Sequence, residues 1–178
     1  MMQTHSVRRM PVLALRGIVI YPDQTVHFDI GRTKSALALE DAMKKNQVLF
    51  LAPQKNILED DPGLNGLYPI GTVAKVKQIL RSQGDNIRVL VSGLHRARIT
   101  QLNQQTPFLT GNVTPVDELE FSDTLRAKAL RREAVTLYGH YLEMVEPPTQ
   151  SVQLKLLASE NCSYIADTIA QNSGLDYR

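Results

Sequence analysis

Residues 71–99 constrain the fold most. Gly71 to Leu80 is a β-rich run, and Ile87 to Val91 continues the pattern after a break. Between them, Ser82 to Asn86 has the composition of a turn. The second arm runs on through Ser92 and Gly93 to Ile99. Two such arms predict a long, bent hairpin, and a sheet must form around it. The hairpin carries no plausible catalytic group, which points to a rigid binding or docking scaffold.

Other segments supply more strands. Met10 to Leu15 is a short apolar run in which Pro11 suits a strand start or an edge. Thr25 to Ile30 alternates, placing Val26, Phe28 and Ile30 on one face. Val48 to Ala52 is continuously apolar, as expected of a strand buried on both faces, and Pro53 ends it. Pro107 to Val116 reads as a further strand. Between strands, Gln54 to Tyr68 is a long loop with an acidic Glu59-Asp60-Asp61 run. Long loops in compact domains are often functional or mobile.

One helix interrupts the strands. Lys34 to Lys45 is rich in Ala and Leu, with Thr33 as the expected N-cap and Asn46 as the stop. Ala36, Leu39 and Met43 should face the sheet, and Glu40 and Lys44 form a favourable pair on the outside. Beyond Val116–Phe121 the period changes. Ser122 to Val145 predicts a long amphipathic helix with Ala127, Leu130, Ala134, Leu137, Tyr141 and Met144 as its inward stripe. That stripe is expected to pack on the chain's own neighbouring helices. Pro147-Pro148 ends it, Thr149 starts a shorter helix through Leu157, and a third runs from Cys162 to Gln171 with Ala166 and Ile169 inward and Gly174 as its stop. The expected fold is α+β: a β-rich domain over 1–117 with one packed helix, then a helical bundle over 118–178, truncated at its C-terminal end.

Chemistry is sparse. No phosphate-cradling P-loop, H-E-x-x-H motif or close cysteine pair is present. The four histidines are scattered, and Cys162 is the single cysteine, which fits a reducing, cytoplasmic setting. Ser92 reads as a strand serine before a glycine bend, Cys162 as a small residue at a helix start, and Glu59 to Asp61 as a solvated loop. The net charge of +2 is too small to imply nucleic acid alone. Arg96 and Arg98 share a strand face, and Arg126, Lys128, Arg131 and Arg132 cluster on the long helix. Base-stacking aromatics are few, so no nucleic-acid partner is expected. No run is apolar for the ~20 residues of a membrane span.

Several blocks together resemble the N-terminal substrate-recognition domain of the Lon family of ATP-dependent proteases. They are Pro11 to Arg16 with Tyr21-Pro22, Gly31 to Ser35, Ala42-Met43, Leu51 to Gln54, Gly71 to Ala74, Val89 to Ile99, and Ile165 to Ala170. Their order and spacing cover nearly the whole chain. The resemblance implies a PUA-like β domain joined to a helical bundle. It implies no cofactor for this chain, since ATP and Mg²⁺ belong to a downstream ATPase that is absent, as is the Ser-Lys peptidase. The chain then reads as an excised fragment or a stand-alone relative without catalysis of its own.

The expected function is capture of unfolded or damaged protein, with self-association inherited from a ring-forming parent. Such capture needs exposed apolar surface of modest affinity. Candidate contacts are Ile57, Leu58, Leu64 and Leu67 in the long loop, and Lys34 and Leu37 on the outer face of the first helix. The competing reading of these residues is satellite packing under the loop. The alternative functions are a stand-alone PUA-like RNA-binding module, with Arg96 and Arg98 lining a groove, and a small enzyme on the same fold.

Overall fold

In the computed structural model, residues 6–81, 87–117, 124–144 and 150–174 are described. The chain divides into two compact units, one taking in Met1–Asp117 and one spanning Glu118–Leu175.

The first unit is built on strands β1 (Arg8–Leu15), β2 (Thr25–Ile30), β3 (Val48–Pro53), β4 (Ile70–Arg81), β5 (Ile87–Gln104) and β6 (Thr110–Pro115). They lie in the order β2-β5-β4-β3-β1-β6, and β6 pairs back onto β5. The sheet therefore closes on itself through β5, β4, β3, β1 and β6, with β2 as an appended strand. The β1–β3 pair is parallel and the others are antiparallel.

Alternation along the strands divides the apolar residues between two cores. Val12, Ala14, Phe50, Ala52, Val73, Ala97, Ile99 and Val113 fill the interior of the closed sheet. Leu13, Leu15, Leu49, Leu51, Ala74, Val76, Val89 and Val91 form an outer layer with Ile30 and with Leu39 and Ala42 of helix α1 (Thr33–Lys44). This explains why β1 and β3 read as unbroken apolar runs. Both of their faces are buried.

Parity along β5 holds a complication. Val89 and Val91 belong to the outer layer, whereas Ala97 and Ile99 point inside, although all four have odd numbers. Strict alternation forbids this. The register supplies the missing step: Ala74 pairs with Gly93 and Val73 with His95, leaving Leu94 as an extra residue. This bulge swaps the faces of the residues that follow it, through Ile99.

Next to the bulge, the β1–β2 connection crosses the sheet. Gly93 donates its N–H to the Gln24 carbonyl at 2.9 Å, and Asp23 donates to the Gly93 carbonyl at 3.1 Å. A Cβ at position 93 would lie 2.2 Å from the Tyr21 carbonyl oxygen. Thr72 Oγ1 donates to the Ile20 carbonyl at 2.6 Å and ties the same connection to β4.

Helix α1 departs from expectation in detail. It starts at Thr33, but Arg32 occupies the N-cap position and no side chain caps it. The buried face is Ser35, Ala38, Leu39 and Ala42, and Met43 stays 37% exposed. Small residues let the helix sit close on β1 and β3, so the larger Met43 is rotated outward. On the outer side of the helix Asp41 pairs with Lys45 at 2.7 Å.

The second unit holds α2 (Leu125–Met144), α3 (Gln150–Ala158) and α4 (Cys162–Asn172). Its core is Tyr138, Leu142, Val152, Leu156 and Ile165, flanked by Val135, Tyr141 and Ile169. The inward face of α2 is thus rotated from the predicted stripe. Leu130, Leu137 and Met144 remain 61%, 57% and 79% exposed. The short helices pack against the Tyr138–Leu142 side, so only part of the stripe is covered. Likewise Ala166 is exposed, while Ile165, Asp167 and Thr168 turn inward. Asn161 caps α4 by accepting the Tyr164 N–H at 3.0 Å. Gly174 follows it at φ +64°, a backbone state that suits glycine at a helix stop. The expected hairpin turn and the Ser122 and Thr149 caps lie outside the described residues. Thr124 Oγ1 accepts from the Ala127 N–H at 3.1 Å.

The Gly93 crossing yields a stability prediction. Gly93→Ala should cost about 1–3 kcal/mol, because a backbone carbonyl must move. Gly63→Ala, where nothing lies within 4 Å, should stay within about 0.5 kcal/mol of the parent. Urea denaturation of both variants measures the difference.

Candidate functional site: an anchored loop with an apolar tip

The segment between β3 and β4 is far from an open loop. Its ends are zipped: Gln54 pairs with Leu67 in an isolated bridge, Tyr68 donates to the Pro53 carbonyl at 2.9 Å, and Lys55 donates to the Gly66 carbonyl at 2.8 Å. A single 3₁₀ turn, Leu64–Gly66, closes the return.

Gln54 is the internal anchor. It is fully buried, and its side-chain amide donates to the carbonyls of Asn56, at 2.6 Å, and Glu59. Its Oε1 accepts from the Arg32 guanidinium at 3.3 Å. Arg32 in turn donates to the Asp60 carbonyl at 3.1 Å and to the Ala14 carbonyl. A buried amide is tolerable only with such partners, because an unmatched one costs about 1–3 kcal/mol.

Charge fastens the outside. Arg16 donates to the Glu59 carbonyl at 3.1 Å and pairs with the Asp60 carboxylate at 2.6 Å. Lys34 reaches both Asp61 carboxylate oxygens at 2.6 Å. Partial burial pulls the Arg32 guanidinium below its ordinary pKa, and the nearby Arg16 charge adds to this. Asp60 and Asp61 oppose both effects. The acidic run is therefore the counter-charge for three cations projecting from β1 and the start of α1. The run is solvated as expected, with the Asp60 and Asp61 side chains 92% and 57% exposed, and it also faces the basic scaffold beneath it.

What this anchoring presents is a tip. Asn56 Oδ1 accepts the Leu58 N–H at 3.0 Å, and Glu59 donates to the Asn56 carbonyl at 3.2 Å, making a tight turn. Ile57 is 43% and Leu58 83% exposed on that turn, and Leu64 is 37% exposed. Beside the strap opens a cleft of about 560 Å³, floored by Leu15, Ile18, Phe28 and Ile30 and edged by Arg16 and Arg32.

The sequence-predicted contacts thus separate. Ile57, Leu58 and Leu64 are accessible. Leu67 is 1% exposed and packs with the interior core, so it is corrected to a structural residue. Its bridge to Gln54 turns it inward. Lys34 is engaged with Asp61, and Leu37 is half-buried on α1. Arg96 and Arg98 do share the outer face of β5, with Arg96 lying 5.9 Å from the Tyr21 ring centre. On α2, Arg131 donates to the Glu160 carbonyl at 2.8 Å. Sequence reasoning missed Gln54 and Arg32. Gln54 follows directly on a proline after a buried strand, and that alone could have marked it.

Replacing the anchor tests the account. Gln54→Ala should cost about 1–3 kcal/mol by leaving two carbonyls unmatched. Hydrogen–deuterium exchange across 55–66 should rise, with β1 and β3 unchanged. A variant whose loop exchanges like the parent would contradict the anchoring role.

The profile of the ATP-dependent protease La (LON) substrate-binding domain matches residues 9–178. The Lon protease of Desulforamulus reducens is 36% identical over 170 residues, which are 96% of this chain and 21% of that protein. Lon protease 1 of Bacillus subtilis is 33% identical, with 93% of this chain and 21% of that protein aligned. The chain therefore spans about a fifth of the length of these relatives. Among solved structures, the N-terminal domain of Mycobacterium avium complex Lon protease superposes with a TM-score of 0.76 at 27% identity, covering 94% of this chain and 84% of that one. Among the described residues, no helix is long and apolar enough to cross a membrane. With the profile spanning almost the whole chain and closely related Lon proteases aligned to it, the protein belongs to the Lon substrate-binding domain family.

Proposed function

We propose that this chain is the non-catalytic module with which a Lon-type protease captures unfolded or damaged protein. Degradation would fall to ATPase and Ser-Lys peptidase domains that these residues do not contain. On this reading, residues 1–117 are a PUA-like capture domain and 118–178 a helical bundle that supports assembly. The carrying observation is the tip itself: Ile57 and Leu58 are exposed on a loop whose backbone is held by Gln54, Arg16 and Arg32.

The physics suits the task. An apolar pair on a fixed turn binds other apolar side chains without a sequence code, since burial scales with area at roughly 25 cal/mol per Å². Because the loop is already ordered, little entropy is lost on binding. The neighbouring cleft offers further apolar surface, and the arginines at its edge can donate to main-chain carbonyls of an extended segment. Such contacts are individually weak, so segments can bind and leave.

The experiment compares a reduced, carboxymethylated unfolded protein with its native form. The unfolded form should bind and the native form should not. An Ile57→Ser/Leu58→Ser double variant should lose binding at least fivefold with an unchanged melting temperature. Equal binding of both forms, or full binding by the variant, would remove this reading. Self-association is a separate expectation: sedimentation velocity over a hundredfold concentration range should show a reversible shift to larger species.

A further inference from the structure

The closed sheet has an open end, and its lining differs from that of the anchored loop. A groove of about 410 Å³ lies there, floored by Met10, Val73 and Val113. Val73 and Val113 belong to the interior core, and Met10 packs against it. The groove is thus the place where the inside of the closed sheet meets solvent, and mouths of closed sheets are common ligand sites. The bulge in β5 adds a wall. Leu94, the extra residue, is pushed out to 43% exposure and lines the groove. Bulges commonly re-aim a side chain in this way.

The rim is basic. Arg8, Arg9 and Lys45 line it, and no Asp or Glu does so among the described residues. Lys45 is already held by Asp41 at 2.7 Å. Arg9 reaches Thr110 Oγ1 at 3.4 Å, a neutral partner. Among the described residues, Arg8 and Arg9, at the first residues of β1, have no acidic partner. Guanidinium groups bind carboxylates in a two-point fork, which favours Asp or Glu as partners. The lining holds no Phe, Tyr or Trp and its one ring is the His95 imidazole, so base stacking is confined to a single small platform and a nucleic acid would gain mainly its phosphate contacts. The volume admits a few side chains rather than a folded domain.

We propose that this groove docks an extended segment of a partner protein in which apolar residues are flanked by Asp or Glu. The apolar side chains enter between Met10 and Leu94, and the acidic neighbours meet Arg8 and Arg9. The groove is separate from the Ile57–Leu58 tip and does not depend on it.

Fluorescence anisotropy with a labelled peptide carrying Leu-Phe between Glu residues tests this on the full 178-residue chain. The peptide should bind saturably and weaken as KCl is raised. Its Gln-for-Glu analogue should bind about tenfold less tightly, as should the parent peptide to an Arg8→Glu/Arg9→Glu variant. Leu94→Ser should weaken binding severalfold, and the Ile57→Ser/Leu58→Ser variant should bind normally. Melting temperatures establish that each variant is folded, with Arg8→Gln/Arg9→Gln as the substitute if charge reversal unfolds the chain. Lack of saturable binding, indifference to the arginine changes, or equal binding of oligothymidylate through the same arginines would overturn the proposal.

Discussion

The fold depends on one strand serving three partners. β5 pairs with β2 over residues 87–92, with β4 over residues 87–98 and with β6 over residues 97–104. It can do so only because the extra residue at Leu94 exchanges its faces midway. Without that exchange, either Val89 and Val91 or Ala97 and Ile99 would point to the wrong core. Gly93 makes the bend possible where the Tyr21–Gln24 backbone passes against it. Closure of the sheet, the two-layered core and the position of the open mouth all follow from this short stretch.

The loop site rests on a different balance. Burying Gln54 and half-burying Arg32 is unfavourable unless every polar group is met. The Asn56 and Glu59 carbonyls and the acidic run meet them. The pairs at the surface, Arg16 with Asp60 and Lys34 with Asp61, are exposed and worth little singly. Their value is geometric, because they select one path for a loop that carries apolar residues at its apex.

Much of this was legible in the sequence. Period-two and continuous apolar runs located β1 to β6, an Ala- and Leu-rich stretch marked the first helix, and the change of period after Val116 marked the helical part. Blocks such as Val89 to Ile99 pointed to the Lon family, which the matching profile and relatives support. What stayed hidden has physical causes. Parity cannot reveal a bulge, since Leu94 looks like any apolar strand residue. Spacing on α2 fits two adjacent stripes, and only tertiary packing chose Tyr138 and Leu142 over Leu137. In the loop, Ile57 and Leu67 are equivalent by composition. Their fates diverge because Leu67 bridges to Gln54 and Ile57 lies on the turn.

Closure of the sheet has one more consequence. Strands with unpaired rims can recruit sticky polypeptides into growing cross-β stacks. Here the ring of β5, β4, β3, β1 and β6 conceals most of its hydrogen-bonding rims, and the appended β2 is studded with Thr25, His27 and Asp29. Asp29 is further locked to Arg88 at 2.7 Å. A scaffold so guarded leaves little free edge onto which a strand of another chain could add.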